Sequence, residues 1–396
     1  MSLFEKCYRY TKAREVMAAG YYPYFQPIEA SYDTEVLIRG ERKIMVGSNN
    51  YLGLTHHPKV LAAAESALSR YGSGCTGSRF LNGTLDLHEL LEERLAKFLR
   101  QEAALTFSTG YQSNLGVLAT LVGRDEHLFS DKLNHASIVD GSRLSFGIVH
   151  RYPHNDLRAL ERELARTPAD AGKLIVTDGI FSMEGTICDL PKIVALAEFY
   201  GAEVLIDDAH SFGVLGEFGG GTAQHFGLEN RVSLIMATFS KSLASIGGVI
   251  AGPEDVIHYL KHHARSLIFS ASMPPASIAG VLAALEVIEE EPERRDQLWH
   301  NTRRMQEGLR SLGYDIGRSE TPIIPVLIGE LDKMLVFWKE LFDAGVFTNP
   351  VTPPAVPENS CRLRISCMAT HTDEQIDLVL DAFAVVGKRM AAFDQA

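Results

Sequence analysis

Val204-Leu205-Ile206-Asp207-Asp208-Ala209-His210 and, downstream of it, Leu234-Ile235-Met236-Ala237-Thr238-Phe239-Ser240-Lys241-Ser242 decide the fold. Each is a short apolar run that ends in a polar cluster. The same texture occurs at Ala103–Phe107, which runs into Ser108-Thr109-Gly110-Tyr111, and at Leu174-Ile175-Val176, which runs into Asp178. Uniformly apolar runs of this length read as strands buried on both faces. Helical stretches separate them. Asp86 with Glu89 predicts a capping box opening a helix with Leu87, Leu90, Leu91, Leu95 and Phe98 on one face. Gln112–Leu121 reads as another helix, and Ile193–Phe199 as a third, started by Pro191. Strands alternating with helices predict an α/β fold with a mostly parallel sheet covered on both sides. Ligands of such sheets sit beyond the carboxyl ends of the strands, where the polar clusters fall.

Further out, the chain divides into an N-terminal segment (1–45), a large domain (46–285) and a smaller C-terminal α/β domain (286–396). The last has a charged helical stretch at Glu286–Arg310 and short strands expected at Ile323–Leu327, Val346-Phe347 and Arg362–Ser366. Fifty acidic against 38 basic side chains give a net charge of −12, which argues against a nucleic-acid partner. Five scattered cysteines without CxxC or zinc-type spacing, and no secretory signal at the start, point to a reduced, cytoplasmic setting. Ser266–Leu285 lacks charge, but its Pro274-Pro275 pair and four serines make it a poor membrane span. Gly72-Ser73-Gly74-Cys75-Thr76-Gly77 matches GxGxxG, yet it follows the helical stretch Val60–Tyr71 rather than a strand, so a dinucleotide site is not expected. No metal site is expected either. His56-His57 and His262-His263 point apart, and Pro153 spoils helical geometry between His150 and His154.

Lys241 stands just past an apolar strand, between hydroxyl residues and ahead of the glycine-containing apolar segment Leu243–Gly252. An amine in that setting can have its pKa lowered and form a Schiff base with a carbonyl. Pyridoxal 5′-phosphate (PLP) chemistry needs such a lysine and a carboxylate for the pyridine nitrogen. It also needs hydroxyl and backbone N–H donors for the phosphate, and a group packed on the ring. Lys241, Asp207, the Ser108–Tyr111 turn with Ser240, and His135 supply the four parts. The plain alternatives are helix or turn capping for Asp207, helix capping for His135 and a structural ion pair for Arg364.

With those residues in view, the sequence resembles the α-oxoamine synthases, within the aspartate-aminotransferase-like, PLP-dependent transferases of fold type I. The likeness runs over nearly the whole chain. It includes Gly47-Ser48-Asn49-Asn50-Tyr51-Leu52-Gly53-Leu54, Asn134-His135-Ala136-Ser137, Phe181-Ser182-Met183-Glu184-Gly185 and Phe269-Ser270-Ala271-Ser272-Met273-Pro274-Pro275. Ser240 before Lys241, where sister enzymes have Gly, is most similar to the branch that condenses L-serine with a long-chain acyl-CoA. So are Gly74–Thr84 and Pro353-Pro354-Ala355-Val356-Pro357 leading to Arg362–Ser366.

The resemblance implies roles. Lys241 would hold the cofactor aldehyde and move the substrate Cα proton, and Asp207 would pair with the ring nitrogen. His210 and Ser182 would serve the ring hydroxyl, and His135 would stack on the ring and orient the substrate carboxylate. Gly110, Tyr111, Thr238 and Ser240 would hold the cofactor, chiefly at its phosphate. In a homodimer Ser270 and Ser272 would reach the partner subunit's phosphate, while Asn50 and Arg364 would bind the amino-acid carboxylate. The implied reaction joins L-serine to palmitoyl-CoA, releasing coenzyme A and CO2 and giving 3-ketodihydrosphingosine, at the start of sphingolipid biosynthesis. Alternatives are a sister enzyme using alanine with a pimeloyl thioester or glycine with acetyl-CoA, or a non-catalytic paralogue. Aromatic residues along Leu3–Tyr24 suit packing over the large domain or across a dimer, with a peripheral contact at the inner membrane as the other reading.

Overall fold

A computed structural model describes residues 2–393. The chain forms two compact units, residues 49–298 and residues 1–48 with 299–396. Residue 285, the expected end of the large domain, lies inside one continuous helix, Pro275–Glu290, and the larger unit runs on to Leu298.

The larger unit is built on a seven-stranded sheet. Its spatial order is Ala103–Phe107, Gly248–Gly252, Leu234–Thr238, Glu203–Asp207, Lys173–Asp178, His127–Asp131 and Ile148–Tyr152. The pairs from Leu234–Thr238 to Ile148–Tyr152 are all parallel. Gly248–Gly252 alone runs antiparallel to both its neighbours. The expected mostly parallel sheet is therefore present, and the four strands read from apolar runs are all in it. Three others were not read. Gly248–Gly252 is glycine-flanked and short. His127–Asp131 and Ile148–Tyr152 carry polar residues that hide the apolar pattern, and a hydrogen bond of 2.9 Å between His127 Nδ1 and His150 Nε2 ties these two together.

Helices flank the sheet. Gly110–Leu121 packs through Val117 and Leu118 against Phe107 and Ile138, in a core continued by Val176 and Leu205. Thr109 caps it, its hydroxyl accepting from Gln112 N at 3.1 Å. Leu190–Tyr200 begins as expected around Pro191, with Asp189 as N-cap, and ends at Gly201 in the left-handed region (φ 64°). The helix expected at Asp86 spans Asp86–Phe98, but its start differs. Asp86 accepts from the Tyr71 hydroxyl (2.7 Å) and from Leu87 N, and the N-cap position is Leu85, whose N–H is taken by His88 Nδ1 at 3.0 Å. The buried stripe is Leu91, Leu95 and Ala96, with Leu90 on the exposed side. Two hydrogen-bonding side chains settled that start, and spacing alone does not show them. Residues 72–77 lie in the connection before this helix and not after a strand, so the GxGxxG match has no dinucleotide context.

In the smaller unit, Ile323–Gly329, Cys361–Ser366 and Asn349–Val351 form a three-stranded antiparallel sheet. Val346–Phe347 joins a different sheet, pairing in parallel with Glu41–Met45. No helix among the described residues is long and apolar enough to cross a membrane.

Candidate active site

The carboxyl ends of the parallel strands open onto a cavity of about 320 Å³. Asp178 and Asp207 end neighbouring strands and lie opposite one another in the register. Thr238 ends the next. Lys241 then sits in the tight connection back to Gly248–Gly252, held by Ala244 N to Lys241 O (2.9 Å), Ser245 N to Phe239 O (2.9 Å) and Phe239 N to Gly247 O (3.0 Å). The antiparallel return strand is what turns this connection into a clasp at the sheet end. Lys241, Asp207, His135, His210, Gly110, Tyr111, Thr238 and Ser240 all line the cavity.

Polar contacts inside it are specific. Asp207, 4% exposed, accepts from Asn114 Nδ2 at 2.7 Å and from Ala209 N at 2.9 Å. His135 caps the helix Ala136–Leu144, its Nδ1 accepting from Ser137 N at 3.2 Å. The capping alternative thus holds together with the cavity position. Burial, partly opposed by Asp207 and reinforced by Lys241, keeps the His135 imidazole below its usual pKa. Burial and the neighbouring Asp207 push Asp178 well above the carboxylate range, while Asp178 accepts from His135 N at 3.1 Å. Behind the site Asp208 is wholly buried and raised to about 6, bonded by Ser211 Oγ and by Thr222 N at 3.0 Å. His210 Nδ1 meets the Tyr51 hydroxyl at 2.7 Å. Tyr111 donates to Asp140, which raises the phenol's pKa.

Thr238 Oγ1 lies 3.0 Å from Ser240 Oγ, beside the start of the Gly110–Leu121 helix. A Cβ on Gly110 would come within 2.6 Å of Thr238 Oγ1, and one on Gly248 within 2.6 Å of Gly110 Cα. The two glycines therefore let the helix N-terminus approach the strand ends. The cavity brings together hydroxyls and a helix N-terminus, a carboxylate, an amine and an imidazole. That donor set fits the phosphate, ring nitrogen, aldehyde and ring face of PLP.

Other expected residues lie elsewhere. Ser182 is half-buried in a tight turn between Phe181 and Gly185 and does not line the cavity. Ser270 accepts from Gln112 Nε2 at 2.9 Å, and Ser272 donates from both N (2.9 Å) and Oγ (3.1 Å) to Gly77 O. Neither lines the cavity. Asn50 accepts from Leu54 N at 3.0 Å and donates to Thr55 Oγ1 at 2.9 Å. Arg364 is buried in the smaller unit and donates to Ser366 Oγ at 3.0 Å. Residues missed by sequence reasoning include Asn114 and Ser137. Asn114 falls one helical turn after Gly110, the one signal that places it near the strand ends. A second cavity of similar size lies at the amino ends of the strands, lined among others by Glu126, His127, Lys173 and Glu203. There the Lys173 amine is taken by the carbonyls of Ala169 and Ala171, both at 3.0 Å, and His127 pairs with His150. Among the described residues no group of three or more His, Cys, Asp or Glu side chains is placed to hold a metal ion.

Sheet, clasp and cavity together define an aminotransferase-like enzyme of the PLP-dependent kind. The family model for aminotransferase class I and II matches residues 41–383, and the chain belongs to that family. A serine palmitoyltransferase from Sphingobacterium spiritivorum is 52% identical over 387 residues, covering 98% of this chain and 97% of that protein. An 8-amino-7-oxononanoate synthase from Thermoanaerobacter pseudethanolicus is 43% identical over 96% of each chain. The solved serine palmitoyltransferase from S. paucimobilis, with a bound PLP–myriocin aldimine, shares 34% of residues. It superposes with a TM-score of 0.96, covering 99% of this chain and 100% of that one. The expected α-oxoamine synthase likeness, fold type and cofactor are borne out by these matches.

Proposed function

We propose that the chain is a serine palmitoyltransferase, joining L-serine to the acyl group of a long-chain acyl-CoA with release of coenzyme A and CO2. The observation that carries this reading is the convergence of Lys241, Asp207 and His135 on one cavity, in a chain with this likeness to serine palmitoyltransferases. Bound there, PLP supplies an electron sink for the charge left at the serine Cα. Lys241 Nζ would hold the cofactor aldehyde and would accept the serine Cα proton. Asp207 would keep a proton on the ring nitrogen. His135 would pack on the ring and, with Asn50 and Arg364, orient the serine carboxylate. Gly110, Tyr111, Thr238 and Ser240 would hold the cofactor, chiefly at its phosphate, and His210 and Ser182 would serve the ring hydroxyl.

The enzyme works as a homodimer in which Ser270 and Ser272 serve the partner subunit's phosphate; their position outside this chain's own cavity supports that role. A cytoplasmic enzyme with Phe4, Tyr8 and Tyr10 exposed is suited to a peripheral contact at the inner membrane, where amphipathic acyl-CoA collects. The 43% identity to an 8-amino-7-oxononanoate synthase supports a second reading, alanine with a pimeloyl thioester. Absorption spectra of the PLP-loaded protein, titrated with L-serine, L-alanine and glycine and followed by thiol release from long- and short-chain acyl-CoA, decide between them. A spectral response to serine, with thiol released only from the long chain, is expected. A response to alanine with the pimeloyl thioester moves the substrate assignment, and a colourless protein that PLP does not restore overturns the mechanism.

A further inference from the structure

Asn114 is fully buried on the helix Gly110–Leu121, and nothing in the chemistry above uses it. Its Nδ2 donates twice, to Asp207 Oδ2 at 2.7 Å and to Ser137 Oγ at 2.9 Å. The reverse amide orientation would set its oxygen against a carboxylate, so the donor side must face Asp207. The Asn114 Oδ1 left over is buried without a partner. An orphaned buried acceptor is destabilising, so the amide is held there for its two N–H groups. Ser137 Oγ, 1% exposed, receives one of them and lies 2.7 Å from His135 Nδ1.

Donor counting fixes the direction of this chain of bonds. The Ser137 backbone N–H can only donate, and it donates to His135 Nδ1 at 3.2 Å. Nδ1 is therefore an unprotonated acceptor, and the neutral ring carries its hydrogen on Nε2. Ser137 Oγ accepts from Asn114, so its own hydrogen points to Nδ1. His135 Nε2 has no hydrogen-bond partner among the described residues, and the ring lines the cavity.

We infer that Asn114 and Ser137 are positioning residues, forming a one-way hydrogen-bond relay that holds the Asp207 carboxylate at one end and locks His135 at the other as an Nε2–H donor for an anionic substrate group. The substrate side rests on the function proposed above; the tautomer does not. One amide is bonded to the Asp207 carboxylate directly and to the His135 imidazole through Ser137, so the two groups are set by a single side chain.

The first test is 15N NMR of histidine-labelled, cofactor-free protein. His135 is expected as the Nε2–H tautomer, and an Nδ1–H tautomer in the wild type overturns the relay. In Ser137→Ala only the backbone N–H still holds Nδ1, so the signals should move toward tautomer averaging, and Ser137→Thr should restore them. An unchanged tautomer in Ser137→Ala removes the hydroxyl from the relay. The second test is a double-mutant cycle on serine binding by the PLP-loaded protein, read as a spectral dissociation constant. Asn114→Leu and Ser137→Ala should each weaken binding about tenfold, as expected for one lost hydrogen bond to a charged or buried partner. Together they should weaken it little more than either alone, because the second change acts on a chain already broken. An additive loss of about 100-fold would mean two independent structural contacts and sink the proposal. If Asn114→Leu does not fold, the wild-type and Ser137 spectra decide the question by themselves. A wild type with the expected tautomer but no response to serine would leave the relay standing and refute the substrate.

Discussion

Lys241 is the residue on which most of the chemistry turns. Lys241→Ala should abolish the visible absorbance gained on adding PLP and lower thiol release by about 10³-fold, within the usual contribution of a general base. Retained turnover would mean that another group moves the proton. A second residue carries a stability prediction. His371 is buried in the smaller unit, with Nδ1 accepting from Met368 N (3.0 Å) and Nε2 bonded to Met45 O (3.1 Å). Its neutral form is fully satisfied, and burial lowers its pKa to about 4 from the ordinary 6.5. Because the folded value lies below the unfolded one, the unfolded chain takes up the proton first as pH falls. The stabilisation is whole above about pH 6.5 and lost down to about pH 4, an effect on the order of 3 kcal/mol. Urea midpoints across that window should fall more steeply for the wild type than for His371→Gln; parallel profiles would contradict it.

At the scale of elements, the helix Gly110–Leu121 decides whether an anion can be held. Gly110→Ala would drive a methyl to 2.6 Å from Thr238 Oγ1, and overpacking of this kind costs about 1–3 kcal/mol. PLP affinity, measured by equilibrium dialysis, should fall at least about tenfold, and an unchanged affinity would show that the helix start does not face the phosphate. The elements also show what was legible in the sequence. Strands such as Glu203–Asp207 and Leu234–Thr238 were readable because uniform apolar runs have few other homes. His127–Asp131 was not, since its polar side chains are buried by partners distant in sequence, including His150. The start of the Asp86–Phe98 helix failed for a related reason: Tyr71 had already claimed Asp86.

For the whole molecule, the proposed homodimer carries its own prediction. Sedimentation equilibrium of the PLP-loaded protein should give twice the chain mass, and Ser272→Ala should weaken PLP binding although Ser272 lies outside this chain's own cavity. A fully active loaded monomer would remove the shared site. The sequence by itself determined the sheet class, the polar clusters at the strand ends, the four-part chemistry and the family, because these depend on residue type and local period. It named Lys241, Asp207 and His135, but it could not show that Asn114 and Ser137 join them. Only tertiary structure decided that. A hydrogen bond between Asn114 and Asp207, 93 positions apart, leaves no periodic trace in the chain, and its direction follows from donors and acceptors that meet only after folding.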